Sequence, residues 1–541
     1  MTSTLSKSSL AKYVREFRSL PRGLLNWKLL LTVITFALTG SPKGWDEGST
    51  SAISQLESFQ DEYGLNGDHG DDKLSNIVSL VNVGASAGAL LSFFLNDRIG
   101  RIQSMRVYLA TYAIGSLISC FSYGNYGALY TGRIVAGLGV GGCTVVGPMT
   151  IAEIAPKSIR GLMTLWFNVC MLTTQGIGVF TVFGVSTNVS PGLKLQYQIP
   201  WFVQTFIPAI AIFLSFFAIE SPRWLILKNR QQDALQALLQ LRGLSEDHPY
   251  FREEWSLMLS HINDEQSQHG SRGSLSIIKE TFTVATNFRR VQLVVIAYIL
   301  AQFSGANSIT NYLPTIIGLI GVKGAGVKLY ASGSYALAKA VFCITSSLLF
   351  IDVVGRRRSL MIGVTIQLIC HSYLAGYLRY FTINSDALPQ GASDAALAFI
   401  YIHALGWAVG LYSLPYLFGA ELWPNRLRSF GGALAQSFHW LFYFAITKAT
   451  PSLLSSFNIW GAFVFFVAWC IIAFVFTFFC VPETSGLSLD EIDACFERPL
   501  YRMRYGRDSP RDIREQEDFE KEGFHNDDHK VQGSDHIERV T

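Results

Sequence analysis

Twelve stretches of roughly 20 mainly apolar residues recur along this chain, each long enough to cross a ~30 Å hydrocarbon layer as a helix. They fall at 27–48, 75–95, 104–124, 126–152, 161–187 and 200–219, and again at 291–320, 328–351, 359–381, 395–420, 429–450 and 457–480. The first is interrupted by Ser41, Pro42, Lys43, Asp46 and Glu47. Backbone groups in hydrocarbon must pair within their own segment, so a chain built this way is expected to be an all-α membrane protein. Composition agrees: half of the 541 residues are hydrophobic and only 15% are charged. The first 26 residues are polar and basic, so no cleavable signal peptide is expected.

Lys and Arg set the orientation. Lys7, Lys12, Arg15, Arg18 and Arg22 precede the first span, and Arg98, Arg101, Arg106, Lys157, Arg160, Arg356, Arg357, Arg358, Arg426 and Arg428 lie in later loops of the same side. The other side carries the acidic loop QLESFQDEYGLNGDHGDDK. Both termini are therefore expected in the cytoplasm, and a plasma-membrane location is expected. The net charge of +3 is this basic rim nearly cancelled by acidic segments, and it implies no nucleic-acid partner.

Two polar segments divide the spans. Residues 221–289 are charged, include the helical pattern NRQQDALQALLQLRGL, and separate an N-terminal half (27–220) from a C-terminal half (290–480). Residues 1–26 form an N-terminal cytoplasmic segment. The tail 481–541, with RDSPRDIREQEDFEKEGFHNDDHK, lacks apolar periodicity and reads as mostly disordered. The halves also repeat each other. NDRIGR after the second span is matched by IDVVGRRR after the eighth, AEIAPKSIRG after the fourth by AELWPNRLRS after the tenth, and ESPRW after the sixth by PETSG after the twelfth. Parallel halves enclosing a central site are a transporter architecture.

These motifs put Arg98, Arg101, Arg356 and Arg357 at helix ends facing Glu153, Glu220, Glu421 and Glu483. Such charges can hold one side shut and separate when it opens. The alternative is plain positive-inside topology with solvated carboxylates. No metal cluster, nucleophile motif or phosphate loop occurs; His371, His403 and His439 are scattered single residues. An enzyme is not expected, nor a cofactor or a bound metal. The eight cysteines lie in spans or in the tail, with no CxxC spacing, so no disulfide framework is expected.

Taken together, NDRIGR, GRIVAGLGVG, PMTIAEIAPKSIRG, ESPRW, QFSGAN, DVVGRRR, AELWPNRLRS and PETSGLSLDE resemble the sugar porter family of the major facilitator superfamily. The resemblance covers most of 27–495. It implies twelve transmembrane helices in two pseudo-symmetric six-helix halves, alternating access around a midplane cavity, and solute hydroxyls held by polar side chains. The implied solute is a monosaccharide or related polyhydroxylated molecule, in a protein that works as a monomer within the bilayer.

Against the family pattern QQxxGxNxxxYY, the seventh span AQFSGANSITNYLP keeps Gln302 and Asn307 but has Ala301 and Asn311 at the first Gln and first Tyr. Asn168 stands where a Gln is usual, Gln175 keeps the later polar position, Tyr416 replaces a Trp, and Trp440 is kept beside His439. Amides suit a polyol because each offers donors and an acceptor, and an aromatic face covers the apolar side of a sugar. The edits put glucose specificity in doubt. Amides and His can alternatively hold membrane helices together by hydrogen bonds.

Asp46, near the outer end of the first span, and Arg133, about 30 Å from the inner surface along its helix, could meet. The resemblance implies that they form the carboxylate and counter-ion of a proton symporter, with Glu47 a competing acid. A static pair in a passive porter is the alternative.

Lys339 lies about 20 Å from the inner end of its span and about 16 Å from Lys328 near the outer end. That depth is too great for easy snorkelling, and an unpaired charge there costs about 2.5–3.5 kcal/mol. It resembles the fungal branch of the family that includes quinate and galacturonate permeases. A lysine in a hydroxyl-binding cavity would suit a sugar acid; equally, it could pair with Asp46 or Glu47 and leave a neutral solute. Both readings stay open, as does a non-transporting sugar sensor of the same fold. The single sequon, at Asn188, sits in a short loop close to two spans, which disfavours glycosylation.

Overall fold

The computed structural model describes residues 20–21, 23–67, 69–269, 274–349, 354–383, 390–412, 422–424, 426–481 and 496, and among these the only regular secondary structure is helical. The N-terminal half contains α1 (Trp27–Ala37), α2 (Ser41–Ile53), the short α3 (Glu57–Glu62), α4 (Gly70–Ile99), α5 (Arg101–Cys120), α6 (Tyr126–Ile154), α7 (Arg160–Asn188), α8 (Leu195–Val203) and α9 (Phe206–Leu214). Four helices follow: α10 (Pro222–Leu227), α11 (Gln231–Arg242), α12 (Pro249–His269) and α13 (Ser274–Thr283). The C-terminal half has α14 (Ala285–Phe303), α15 (Ala306–Asn311), α16 (Leu313–Leu319), α17 (Ala325–Leu349), α18 (Arg356–Ile383), α19 (Gln390–Trp407), α20 (Arg428–Ser456) and α21 (Trp460–Cys480), with a π-helical turn, Ala408–Tyr412, after α19.

By length and apolarity alone, seven membrane-crossing helices qualify among the described residues: α4, α6, α7, α8 with α9, α18, α19 with its π turn, and α21. The other five expected spans miss for physical reasons visible in their sequences. The first is split by the 3-10 turn Leu38–Gly40, and Pro42 opens its polar second part, α2. Arg101 and Arg106 lie in α5, Lys328 and Lys339 in α17, and His439 and Lys448 in α20. The seventh span is broken at Gly305, whose φ of 87° favours glycine, and α14 meets α13 at 84°. Large apolar side chains on the outer faces, among them Leu91, Ile114, Phe213, Phe217 and Ile471, are exposed as a lipid-facing surface requires.

Although polar, α2 is buried over most of its length. It reaches that position by backbone contact with α7: a Cβ on Gly44 would stand 1.8 Å from the Met171 carbonyl oxygen, and one on Gly48 2.2 Å from that of Gln175. Small residues one turn apart let two membrane helices approach this closely. Gly48→Val is therefore expected to lower the apparent Tm of the detergent-solubilised protein by several degrees and to cut its folded yield, measured by fluorescence-detected size exclusion. An unchanged midpoint would mean that α2 is not seated on α7.

One end of the bundle carries the charge cluster. The Arg101 guanidinium, 3% exposed, donates to Glu153 from Nε at 3.1 Å and from Nη2 at 2.9 Å, and from Nη1 to Asp97 Oδ1 and the Asn96 carbonyl, both at 3.0 Å. Glu220 accepts from the backbone N–H groups of Arg101 and Ile102, each at 3.1 Å, and so caps the start of α5. Burial pushes the Glu220 carboxyl above its ordinary range, against the pull of those N–H groups. In the other half, Arg357 donates to the Phe478 and Thr477 carbonyls at 2.7 and 3.3 Å and thereby caps α21. Arg356 begins α18 beside it. Arg98 is exposed, with no carboxylate within 4 Å among the described residues; Asp97 takes the place beside Arg101 instead. Glu421 and Glu483 lie outside the described residues.

Candidate functional site

Between the halves lies a small, tightly walled cavity. Its walls include Lys43 and Glu47 from α2, Gln302 and Asn307 at the break after α14, Lys339 from α17, Trp407 and Tyr412 from the end of α19, and His439 from α20. A second, smaller space adjoins it, lined by Asp46, Arg133, Asn311, Trp440 and Tyr443; Lys43 and Glu47 line both. Contacts between the halves lie on both sides of the pair. Toward the charged end, Tyr412 donates to Asn168 Oδ1 at 2.7 Å, and the Phe93 and Phe430 rings lie 5.1 Å apart. Toward the far end, Lys448 donates to Asn76 Oδ1 at 2.7 Å and Ser75 Oγ at 2.9 Å, and Gln55 donates to Thr315 at 3.2 Å.

Asp46 and Arg133 meet in the second space. Both guanidinium Nη atoms donate to the two carboxylate oxygens, the Nη2 bond being 3.0 Å, while Nε donates to the Ile77 carbonyl at 2.8 Å. Thr50 donates to Asp46 Oδ1 at 3.4 Å. Arg133 is 2% exposed, so this is a desolvated, bidentate pair.

Lys339 is 2% exposed and projects from the middle of α17. Its Nζ donates to Thr310 Oγ1 at 3.2 Å and stands 4.2 Å from the centre of the Trp407 ring, a cation–π distance. Among the described residues no carboxylate lies within 4 Å of it. Asp46 is taken by Arg133, and Glu47 stands 3.8 Å from Lys43. Asp46 is thus held by Arg133, while Glu47 lies nearer Lys43 and acts on Lys339 only at longer range.

The amides form one connected set. Gln302 Nε2 lies 2.9 Å from His439 Nδ1, Asn307 Nδ2 donates to Gln302 Oε1, and Lys43 Nζ lies 3.3 Å from His439 Nε2. Asn311 donates to the Tyr443 hydroxyl at 2.9 Å, and Trp440 Nε1 to Thr144 Oγ1 at 3.3 Å, which fixes both at the edge of the second space. Asn168 and Gln175 line neither space: Asn168 holds Tyr412, and Gln175 is buried behind α2 with Oε1 unpartnered. Tyr416 lies outside the described residues.

Sequence reasoning missed Lys43, Thr310, Trp407 and Tyr412. Lys43 carried a usable signal, because 43, 46 and 47 share a face at helical spacing, yet it reads at first as a mere interruption of a span. His371 contacts the Ser304 carbonyl at 2.8 Å from Nε2 and meets His403 edge to face, and no group of three metal-binding side chains exists among the described residues.

Residues 32–496 match the family model described as sugar (and other) transporter. The chain belongs to that family. As a member it is an integral membrane transporter, not an enzyme. It is 30% identical over 498 residues to a probable quinate permease of Aspergillus flavus, covering 90% of this chain and 92% of that protein. It is 28% identical to the quinate permease of Emericella nidulans, covering 89% and 91%. Among solved structures, the proton:xylose symporter XylE bound to 6-bromo-6-deoxy-D-glucose superposes with a TM-score of 0.72 at 20% identity, covering 87% of this chain and 99% of XylE. The last likeness gives the fold: the twelve-span architecture of the major facilitator superfamily, in two six-helix halves.

Proposed function

We propose that this transporter carries a polyhydroxylated carboxylic acid of the quinate type together with a proton, by alternating access, across the plasma membrane with both termini in the cytoplasm. The observation that carries the reading is the buried Lys339 ammonium, set on the cavity wall with no carboxylate within 4 Å among the described residues. A carboxylate solute supplies the missing partner, and the adjoining amides of Gln302 and Asn307 take its hydroxyls. Names of the relatives point the same way. For a neutral monosaccharide, Lys339 would remain a desolvated charge whose direct contacts among the described residues are a hydroxyl and a ring.

Asp46 is the proton acceptor in this reading and Arg133 its counter-ion. Protonating Asp46 releases the guanidinium, and re-forming the pair ejects the proton, which links proton occupancy to the state of the cavity. The Arg101–Glu153 cluster with Glu220, and the Arg356 and Arg357 region, serve as the inner gate. The working unit in this reading is a monomer.

One carboxylate solute moving with one proton carries no net charge. Accumulation is then driven by the pH difference and is indifferent to membrane potential, whereas a neutral sugar with one proton would respond to both. Labelled quinate, galacturonate, glucose and xylose supplied to transport-null cells at external pH 5 and 7 test this. Saturable quinate uptake, stronger at pH 5, abolished by an uncoupler and unaffected by clamping the potential with valinomycin and potassium, is expected. Uptake of glucose alone, or binding of quinate without counterflow, would contradict it.

A further inference from the structure

Gln302 and Asn307 stand five residues apart, which on an unbroken α-helix sets their side chains about 140° from each other around the axis. They nevertheless meet on the cavity wall, where Asn307 Nδ2 donates to Gln302 Oε1. The break between them makes this possible: α14 ends at Phe303, α15 begins at Ala306, and Gly305 takes a φ of 87°. The angle of that break is therefore part of the solute site, and whatever holds the angle holds the two amides.

A helix that stops inside a membrane leaves carbonyls without their usual N–H partners one turn on, and hydrocarbon supplies no water in their place. At this break the Ser304 hydroxyl donates to the Ala301 carbonyl at 2.8 Å, and the Ser304 N–H to the Leu300 carbonyl at 3.1 Å. The Gly305 carbonyl already belongs to α15, accepting from the Ile309 N–H at 2.9 Å. The Ser304 carbonyl is met from another helix: His371 of α18 places Nε2 2.8 Å from it. A carbonyl only accepts, so Nε2 carries the hydrogen and donates. The His371 ring is fully buried and lines neither space of the site. It is wedged between His403, with ring centres 4.6 Å apart, and Phe466, at 5.3 Å. Phe466 also closes on the break itself, since a Cβ on Gly305 would stand 2.6 Å from its ring.

We infer that His371 is a positioning residue: from behind the cavity, through the Ser304 carbonyl, it fixes the break in the seventh span at the angle that turns Gln302 and Asn307 toward one solute. It does not touch the solute. Without its donor, the Ser304 carbonyl is a buried acceptor that must find another N–H, and relaxation toward regular helix offers it the one at Ser308. That relaxation turns Asn307 away from Gln302. Recognition of hydroxyls is then lost, while Lys339 on α17 keeps its place and its preference for a carboxylate. The consequence for transport rests on the reading above, in which these amides hold the solute hydroxyls; the hydrogen on Nε2 does not.

The test has two arms. In reconstituted vesicles, initial uptake of quinate is compared with that of its monodeoxy analogues and of its carboxamide. His371→Phe, which keeps a ring in the packed space but has no donor, should raise the KM for quinate about tenfold with kcat changed less. It should also flatten the discrimination against the deoxy analogues and leave the preference for quinate over the carboxamide intact. His371→Gln, whose amide nitrogen reaches the place of Nε2, should return the KM to within a few-fold of the wild-type value. An unchanged KM in His371→Phe, or a loss that His371→Gln does not recover, would overturn the inference. In ¹⁵N-histidine-labelled protein in liposomes, the His371 signals are those missing from His371→Gln; a hydrogen on Nε2 is expected, and a pyridine-type Nε2 would overturn it as well. If the wild-type protein moves no quinate, the acid reading falls alone. Glucose and its monodeoxy forms then take the place of quinate in the first arm, and the nitrogen spectra need no solute.

Discussion

Protein carrying Asp46→Asn will exchange labelled quinate for unlabelled quinate across a vesicle membrane but will not accumulate it. Asparagine keeps the shape of the side chain and can still accept from Arg133 at one atom, so the fold and the solute cavity persist. It cannot take up a proton in this range, and Arg133 is always charged, so no titratable partner is left at that pair. The wild-type protein, given an external pH one unit lower than the internal pH, should concentrate quinate about tenfold, because one pH unit is worth 1.36 kcal/mol per proton. In the variant that ratio should fall to about one, while the exchange rate stays within a few-fold. Retained accumulation would move the proton site elsewhere, Glu47 being the adjacent acid.

Lys339→Met should weaken quinate uptake far more than uptake of any neutral sugar the protein accepts. The methionine stem preserves packing against Trp407 while the charge and the donor to Thr310 are lost. Removing one partner of a buried, hydrogen-bonded charge pair costs about 2–5 kcal/mol, so KM for the acid should rise by roughly 30-fold or more. For a neutral sugar the change should be a few-fold at most. The measurement is initial-rate uptake across a concentration series for both solutes in the same cells. Equal losses for both would assign Lys339 to an internal pairing in another state of the transport cycle.

The sequence exposes the architecture because bilayer thickness turns hydrophobicity into a length code. Spans such as α6 and α21 are read almost to their ends. Less legible are elements that are buried without being apolar. The helix α2 has a near-neutral composition and enters the bundle through Gly44 and Gly48, which are indistinguishable in a sequence from ordinary flexible glycines. The same limit governs the site. Depth alone marks Lys339 as functional, since it follows from counting residues along a helix, but its neighbours depend on how the halves meet. The aromatic face beside it is Trp407, above a π-helical turn that shifts register where no sequence rule places one. Asp46 and Arg133 could be paired from their depths. Gln175 could not be excluded from the cavity in the same way, because one residue of helical rotation separates a wall position from a buried one.

The most direct measurement compares binding of quinate with binding of its carboxamide, by calorimetry on the purified protein at one pH. The two ligands share hydroxyls and ring shape and differ in charge. If Lys339 is the receptor for a solute carboxylate, wild-type protein should prefer quinate by at least about tenfold, and Lys339→Met should bring the two affinities together, the missing preference being the coupling between that charge and that side chain. Equal affinities in the wild-type protein, or a preference that survives in Lys339→Met, would contradict the account.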